Sequence, residues 1–144
     1  MSVILTNGRL IDGRSDAVRE ACDVIIAGER IVAVEGAKDR SGGDGTVIDC
    51  AGRTIMPGLI DCHTHYLADP RSATPFDDAN DGPDAAAVLR GARNARVAIE
   101  AGITTTRGAG APRQLNFALR DAINAGDIPG PRMLAPGEAD DPAC

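Results

Sequence analysis

The chain has two histidines, His63 and His65, and they stand one residue apart. They close the segment Asp61-Cys62-His63-Thr64-His65, which follows the apolar residues Leu59 and Ile60. Apolar residues ahead of the pair predict a short strand. In a strand, residues i and i+2 face the same side, so both imidazoles would be aimed at one point. Neutral imidazole is the commonest metal-ligating side chain near pH 7. At the C-terminal end of a barrel strand, such a pair would stand where that architecture builds its active sites. Two surface histidines beside a turn fit the same spacing, so the motif alone leaves both readings open. With only two imidazoles, no site needing three or more can be assembled from one copy.

The rest of the composition excludes more than it proposes. The 144 residues carry a net charge of −6, which argues against a nucleic-acid surface, since that needs a basic patch. No apolar run approaches the roughly 20 residues of a membrane span, and the first residues lack the basic and apolar regions of a signal peptide. The four cysteines, Cys22, Cys50, Cys62 and Cys144, form no C-x-x-C pair. They are expected to stay reduced in a cytoplasmic chain, with Cys22 and Cys50 as small buried apolar residues. Tyr66, Phe76 and Phe117 are the only aromatics, so aliphatic side chains must fill the core.

The elements that would position the pair can be read from turns and periodicity. Residues 1–56 read as an all-β module. Val3–Leu5 and Leu10–Ile11 flank Asn7-Gly8, a strong turn dipeptide. Asp23–Ala27 and Arg30–Glu35 flank Gly28-Glu29 as a second hairpin. Val47–Cys50 and Thr54–Met56 form a third pair around Ala51-Gly52. The glycines of Ser41–Gly45 are followed by neither Lys-Ser/Thr nor a helix start, so they do not match a phosphate loop. After Pro57-Gly58 the period changes. Leu59–His63 is a strand, and residues 68–83 are a loop. Asp84 can cap a helix to about Ala101, with Ala85, Val88, Leu89, Ala92, Ala95 and Ile99 on its apolar stripe. Arg90, Arg93 and Arg96 are expected on its solvated face, an anion site being the less favoured role. Gly102 stops that helix, Ile103–Arg107 is a strand, Pro112 opens a helix stopped by Gly126, and Pro131–Ala135 begins another strand. Strands alternating with helices predict parallel βαβ units.

The stretch from Cys50 to His65, CAGRTIMPGLIDCHTH, resembles the segment that opens the barrel in the amidohydrolase superfamily. There a β-sandwich piece leads into a "pGliDxHxH" strand. Leu5–Gly13, LTNGRLIDG, resembles the first sandwich hairpin of that family. Ala101–Arg107, AGITTTR, is similar to its "GvTTvRD" second barrel strand. Leu119–Arg132, LRDAINAGDIPGPR, resembles the helix and third strand of the imidazolonepropionase-like and Xaa-Pro dipeptidase-like branch. The resemblance implies an α/β fold: an N-terminal β-sandwich segment (1–56), then the first βαβαβ units of an incomplete (β/α)8 TIM barrel (57–144). It also implies hydrolysis of amide, peptide or cyclic-amide C–N bonds by water activated on one or two divalent metals, zinc being the default. His63 and His65 correspond to the first two metal ligands. Asp61 would orient a ligand or serve the backbone or a turn; Tyr66 would line the pocket or pack; Arg107 would fork onto a substrate carboxylate or make a strand-end salt bridge. A small molecule or dipeptide is the implied substrate.

The chain also departs from that pattern. The family's "RD" is Arg107-Gly108 here. The resemblance requires a bridging lysine from a fourth barrel strand, histidines from the fifth and sixth, and an Asp general base from the eighth. Lys38 is the only lysine and lies in the first segment. A complete barrel needs about 250 residues. The 144 residues are therefore expected to be the first portion of a larger enzyme, inactive alone, with a tail after Gly137 that reads like a shifted frame or a truncated gene. The rival reading is a non-catalytic truncated paralogue acting as a binding or interaction module. Open sheet edges make self-association an expected property of the isolated chain.

Overall fold

A computed structural model describes residues 2–38 and 45–136. They fall into two compact units, Met1–Pro57 and Gly58–Cys144. Most of the Ser41–Gly45 loop, the tail after Pro136 and Cys144 lie outside the described residues.

The first unit is a five-stranded sheet: β1 (Ser2–Leu10), β2 (Arg19–Ala27), β3 (Arg30–Gly36), β4 (Thr46–Asp49) and β5 (Thr54–Ile55). Its order is β3-β2-β1-β4, with β5 also on β1. The β2–β3 hairpin turns at Gly28-Glu29, where Gly28 takes φ +59°, as that dipeptide predicts. The other two expected hairpins are corrected. Asn7-Gly8 is no turn, because β1 runs straight through it. Asn7 adopts φ +54° and the β1–β2 register shifts on either side of Gly8, which is a β-bulge. The buried Asp23 carboxylate holds the bulge by accepting from the Thr6 hydroxyl (2.7 Å) and the Asn7 amide (3.2 Å). A Cβ on Gly8 would lie 2.2 Å from Ile55 Cδ1, so any larger residue there would have to displace the Ile55 side chain. Nor do β4 and β5 pair with each other; both run parallel to β1, one after the other. Leu10, Cys22 and Val24 form the core of this unit. Cys22 is buried as expected, whereas Cys50 is only half-buried.

In the second unit, β6 (Leu59–Thr64), β7 (Ile103–Gly108) and β8 (Arg132–Leu134) form a parallel sheet in that order. Helix α2 (Asp84–Glu100) connects β6 to β7, and α3 (Leu115–Ala125) connects β7 to β8. Gly102 and Gly126, at φ +87° and +82°, end the two helices as the sequence predicts. Four details differ. The expected loop 68–83 contains a short helix, α1 (Asp77–Asp81). Asp84 is the first helical residue of α2 rather than its cap. Pro112 opens a 3-10 turn, Pro112–Gln114, and α3 proper starts at Leu115.

The fourth is the buried stripe of α2, which is Ala87, Gly91 and Ala95, while Leu89 is 72% exposed. Small residues win that face because α2 packs too closely for larger ones. A Cβ on Gly91 would lie 3.0 Å from both Leu119 Cδ2 and Leu67 Cδ2. Two clusters make the core of this unit. Tyr66, Ala95, Leu119 and Met133 lie between helices and sheet. Leu67, Ala79, Ala87 and Ala111 tie α1 to α2.

Candidate metal centre

Both histidines lie at the C-terminal end of β6, where the strand runs into the loop toward α1. Their rings converge. His63 Nε2 and His65 Nε2 are 3.1 Å apart, with ring centroids 5.1 Å apart and planes at 59°. Two nitrogens each about 2.0–2.1 Å from a common zinc and 3.1 Å apart would subtend roughly 100° at the ion, near the tetrahedral angle. The donor set therefore fits two ligands of one divalent metal. Among the described residues no cluster of three or more His, Cys, Asp or Glu surrounds them.

The surroundings favour neutral imidazole. Burial, then the neighbouring His63, push the His65 pKa below its usual value. Phe76 meets the His65 ring edge-on, at 5.0 Å and 83°. An open cleft of about 560 Å³ runs past the pair, lined by Asp61, His63, His65, Tyr66, Phe76 and Asn94, and by Val97 and Ala98 of α2.

Asp61 accepts the His63 backbone N–H at 3.1 Å, so its carboxylate braces the strand end. Tyr66 is 8% exposed and sits in the core with Ala95, Leu119 and Met133, while also bordering the cleft. Burial raises its phenol pKa, outweighing the lowering effect of the Thr106 hydroxyl. Arg107 does not border the cleft among the described residues; its Nη1 donates to the Cys62 carbonyl at 3.2 Å.

Sequence reading missed the residues that hold the loop after His65. Asn94 Nδ2 donates to the carbonyls of Tyr66 (2.7 Å) and Ala68 (2.9 Å). Arg90 donates to the Leu67 carbonyl, and Arg93 pairs with Asp69 and Asn94. Two of the three arginines expected on a solvated face thus staple this loop, and only Arg96 is exposed. Their spacing of three, with Asn94 beside them, was the available signal, but it does not say what faces that side of α2.

The amidohydrolase family model matches residues 54–141. The chain belongs to the amidohydrolase family. An imidazolonepropionase from Sphingopyxis alaskensis is 44% identical over 64 residues, which is 43% of this chain and 16% of that protein. A Xaa-Pro dipeptidase crystal structure with bound methionine in its active site superposes with a TM-score of 0.86 at 29% identity. It matches 96% of this chain and 34% of that one. A prolidase complexed with N-methylphosphonate-L-proline gives a TM-score of 0.82 at 32% identity, covering 96% of this chain and 32% of its own. This amidohydrolase chain thus spans about a third of the length of the solved structures it matches. Its three parallel strands with α2 and α3 correspond to part of an amidohydrolase α/β barrel.

Proposed function

We propose that His63 and His65 are the first two metal ligands of a hydrolase acting on C–N bonds, with zinc as the metal by ligand chemistry. The observation that carries this reading is the 3.1 Å convergence of the two Nε2 atoms at the end of β6, within a family-matched segment. The bound ion would lower the pKa of a water toward neutrality and polarise the scissile carbonyl. The chain's own residues prepare for that. The Asp61 carboxylate fixes the backbone at His63, and so sets where that imidazole leaves the strand. Asn94 and Arg90 hold the backbone just after His65 from one side of α2. Phe76, Val97 and Ala98 give the open cleft beside the pair an apolar side.

The proposed substrate is a small amide or dipeptide. That reading is supported by similarity to an imidazolonepropionase and to Xaa-Pro dipeptidase structures. We also propose the division of labour expected from sequence, with residues 1–56 as a supporting β module and 57–144 as the metal-bearing part. Two imidazoles supply half of a tetrahedral set, so the 144-residue chain is expected to bind zinc weakly and to show no turnover by itself. Zinc titration by isothermal calorimetry tests the assignment. Binding should be lost in both His63→Ala and His65→Ala. Binding that persists in either variant sinks it.

A further inference from the structure

Helix α1 has five residues, too few to persist without tertiary support. Its C-terminal carbonyls would be orphaned in an isolated turn. One side chain from a different element reaches them. Arg113, in the 3-10 turn before α3, donates from Nη1 to the Asn80 carbonyl (2.5 Å). Its Nη2 donates to the carbonyls of Ala79 (3.3 Å) and Gly82 (3.4 Å), and its Nε to Asp84 Oδ1 (2.6 Å). A guanidinium suits this role, since its planar fork serves several acceptors at once and its charge lies at the negative end of the helix dipole.

The backbone that presents Arg113 is itself strained. Arg113 and Gln114 are consecutive non-glycine residues in the left-handed region, at φ +52° and +56°. Such conformations cost free energy and persist where the surroundings over-determine them. The four contacts of the guanidinium provide that determination.

What α1 carries at its other end gives the clamp a consequence. Phe76 precedes the helix, and its carbonyl accepts from the Ala79 and Asn80 amides. Its ring is 52% exposed, so core burial does not hold it, yet it lies edge-on against His65. We propose that Arg113 is a positioning residue for the histidine pair: by capping α1 it holds the Phe76 ring against His65 and so sets the orientation of that imidazole. The importance of that orientation for metal affinity rests on the metal reading above; the ring contact does not.

The chain's two histidines make the test direct. In histidine-labelled chain, ¹H–¹³C spectra contain two sets of ring signals, and a neighbouring aromatic edge displaces those of His65. Phe76→Leu should move the His65 ring signals more than those of His63, and Arg113→Gln should move them in the same direction. Arg120→Gln, which removes a half-buried arginine of α3 paired with Asp121 and lying over Phe117, should move neither. His65 signals that stay in place in Arg113→Gln, or in Phe76→Leu, overturn the proposal. If Arg113→Gln unfolds the chain, Arg113→Lys decides, because it keeps the charge and loses the fork. An intermediate displacement of His65 supports the clamp and an unchanged position refutes it. Zinc affinity should fall several-fold in Arg113→Gln. If the unaltered chain binds no zinc, the metal reading fails while the His65 displacement still judges the clamp.

Discussion

Replacing Asn94 by Leu tests how the loop that follows His65 is held. The Asn94 amide donates to two carbonyls, Tyr66 at 2.7 Å and Ala68 at 2.9 Å, and Tyr66 itself is buried. Each neutral hydrogen bond contributes a net ~1 kcal/mol, so losing the two to carbonyls costs about 2 kcal/mol, and the loss of the partly exposed Arg93 contact to Asn94 Oδ1 adds little. Leucine is the better helix former and returns roughly 0.5 kcal/mol. The expected net loss is about 1.5 kcal/mol. For a unit of this size that corresponds to a drop in Tm of roughly 6–12 °C. Thermal and urea unfolding followed by far-UV circular dichroism measure it. Asn94→Asp separates bonding from volume. It keeps the shape but turns a carboxylate toward two carbonyls, so it should lose at least as much as Asn94→Leu. Because Arg90 secures the Leu67 carbonyl of the same loop, adding Arg90→Met should give a total below the sum of the two. Stability of Asn94→Leu within about 0.5 kcal/mol of the unaltered chain would refute the reasoning, since two lost bonds could not then be holding the loop.

Gly91→Val should destabilise the second unit by about 1–3 kcal/mol in urea unfolding. Even its Cβ would meet Leu119 and Leu67 at 3.0 Å, and an unchanged midpoint would show that α2 can retreat freely. Asp69 gives a pH dependence. The Arg71 side chain and backbone hold its carboxyl below the usual carboxylate range, with Arg93 adding to the effect. A carboxyl whose folded pKa is depressed contributes stability above its unfolded value, near pH 3.9, and loses it as pH falls through the folded pKa. Asp69→Asn should therefore lower stability at neutral pH by a small amount, as Arg71 is exposed, and by less in strong acid. A pH profile parallel to that of the unaltered chain would contradict this. Ile60 is 68% exposed on β6, an edge strand of the parallel sheet. Ile60→Lys should reduce concentration-dependent self-association in sedimentation velocity, and equal association in the two chains would remove β6 as the sticking edge.

The sequence by itself determined the order of the three strands and two longer helices of the second unit and the location of the histidine pair. Those signals are local. The apolar run before His63, the glycine stops at Gly102 and Gly126, and the one-residue spacing of the imidazoles all lie within a few residues of what they specify. Local signals failed where a distant partner decided the outcome. Asn7-Gly8 has turn chemistry, yet it became a bulge because Asp23 on the neighbouring strand binds the Thr6 hydroxyl and the Asn7 amide. The stripe of α2 was legible as helical and included the buried Ala95 and the half-buried Ala92, but it put Ala85 and Leu89 inside and left out Ala87 and Gly91. Period alone ranks Leu89 as core, whereas the close approach of Leu119 and Leu67 admits only Ala87, Gly91 and Ala95.

Tertiary structure alone decided what surrounds the pair. Phe76, Asn94, Arg90 and Arg113 carry no motif. Asn94 reaches Tyr66 across 28 residues, and Arg113 reaches Asp84 across 29. Such contacts exist only once α1 and α2 have folded back over the end of β6. Type and spacing of side chains identify donor atoms, because that chemistry belongs to single residues. The orientation of those atoms depends on packing between elements, and packing is settled by shape and distance after the chain has closed its loops.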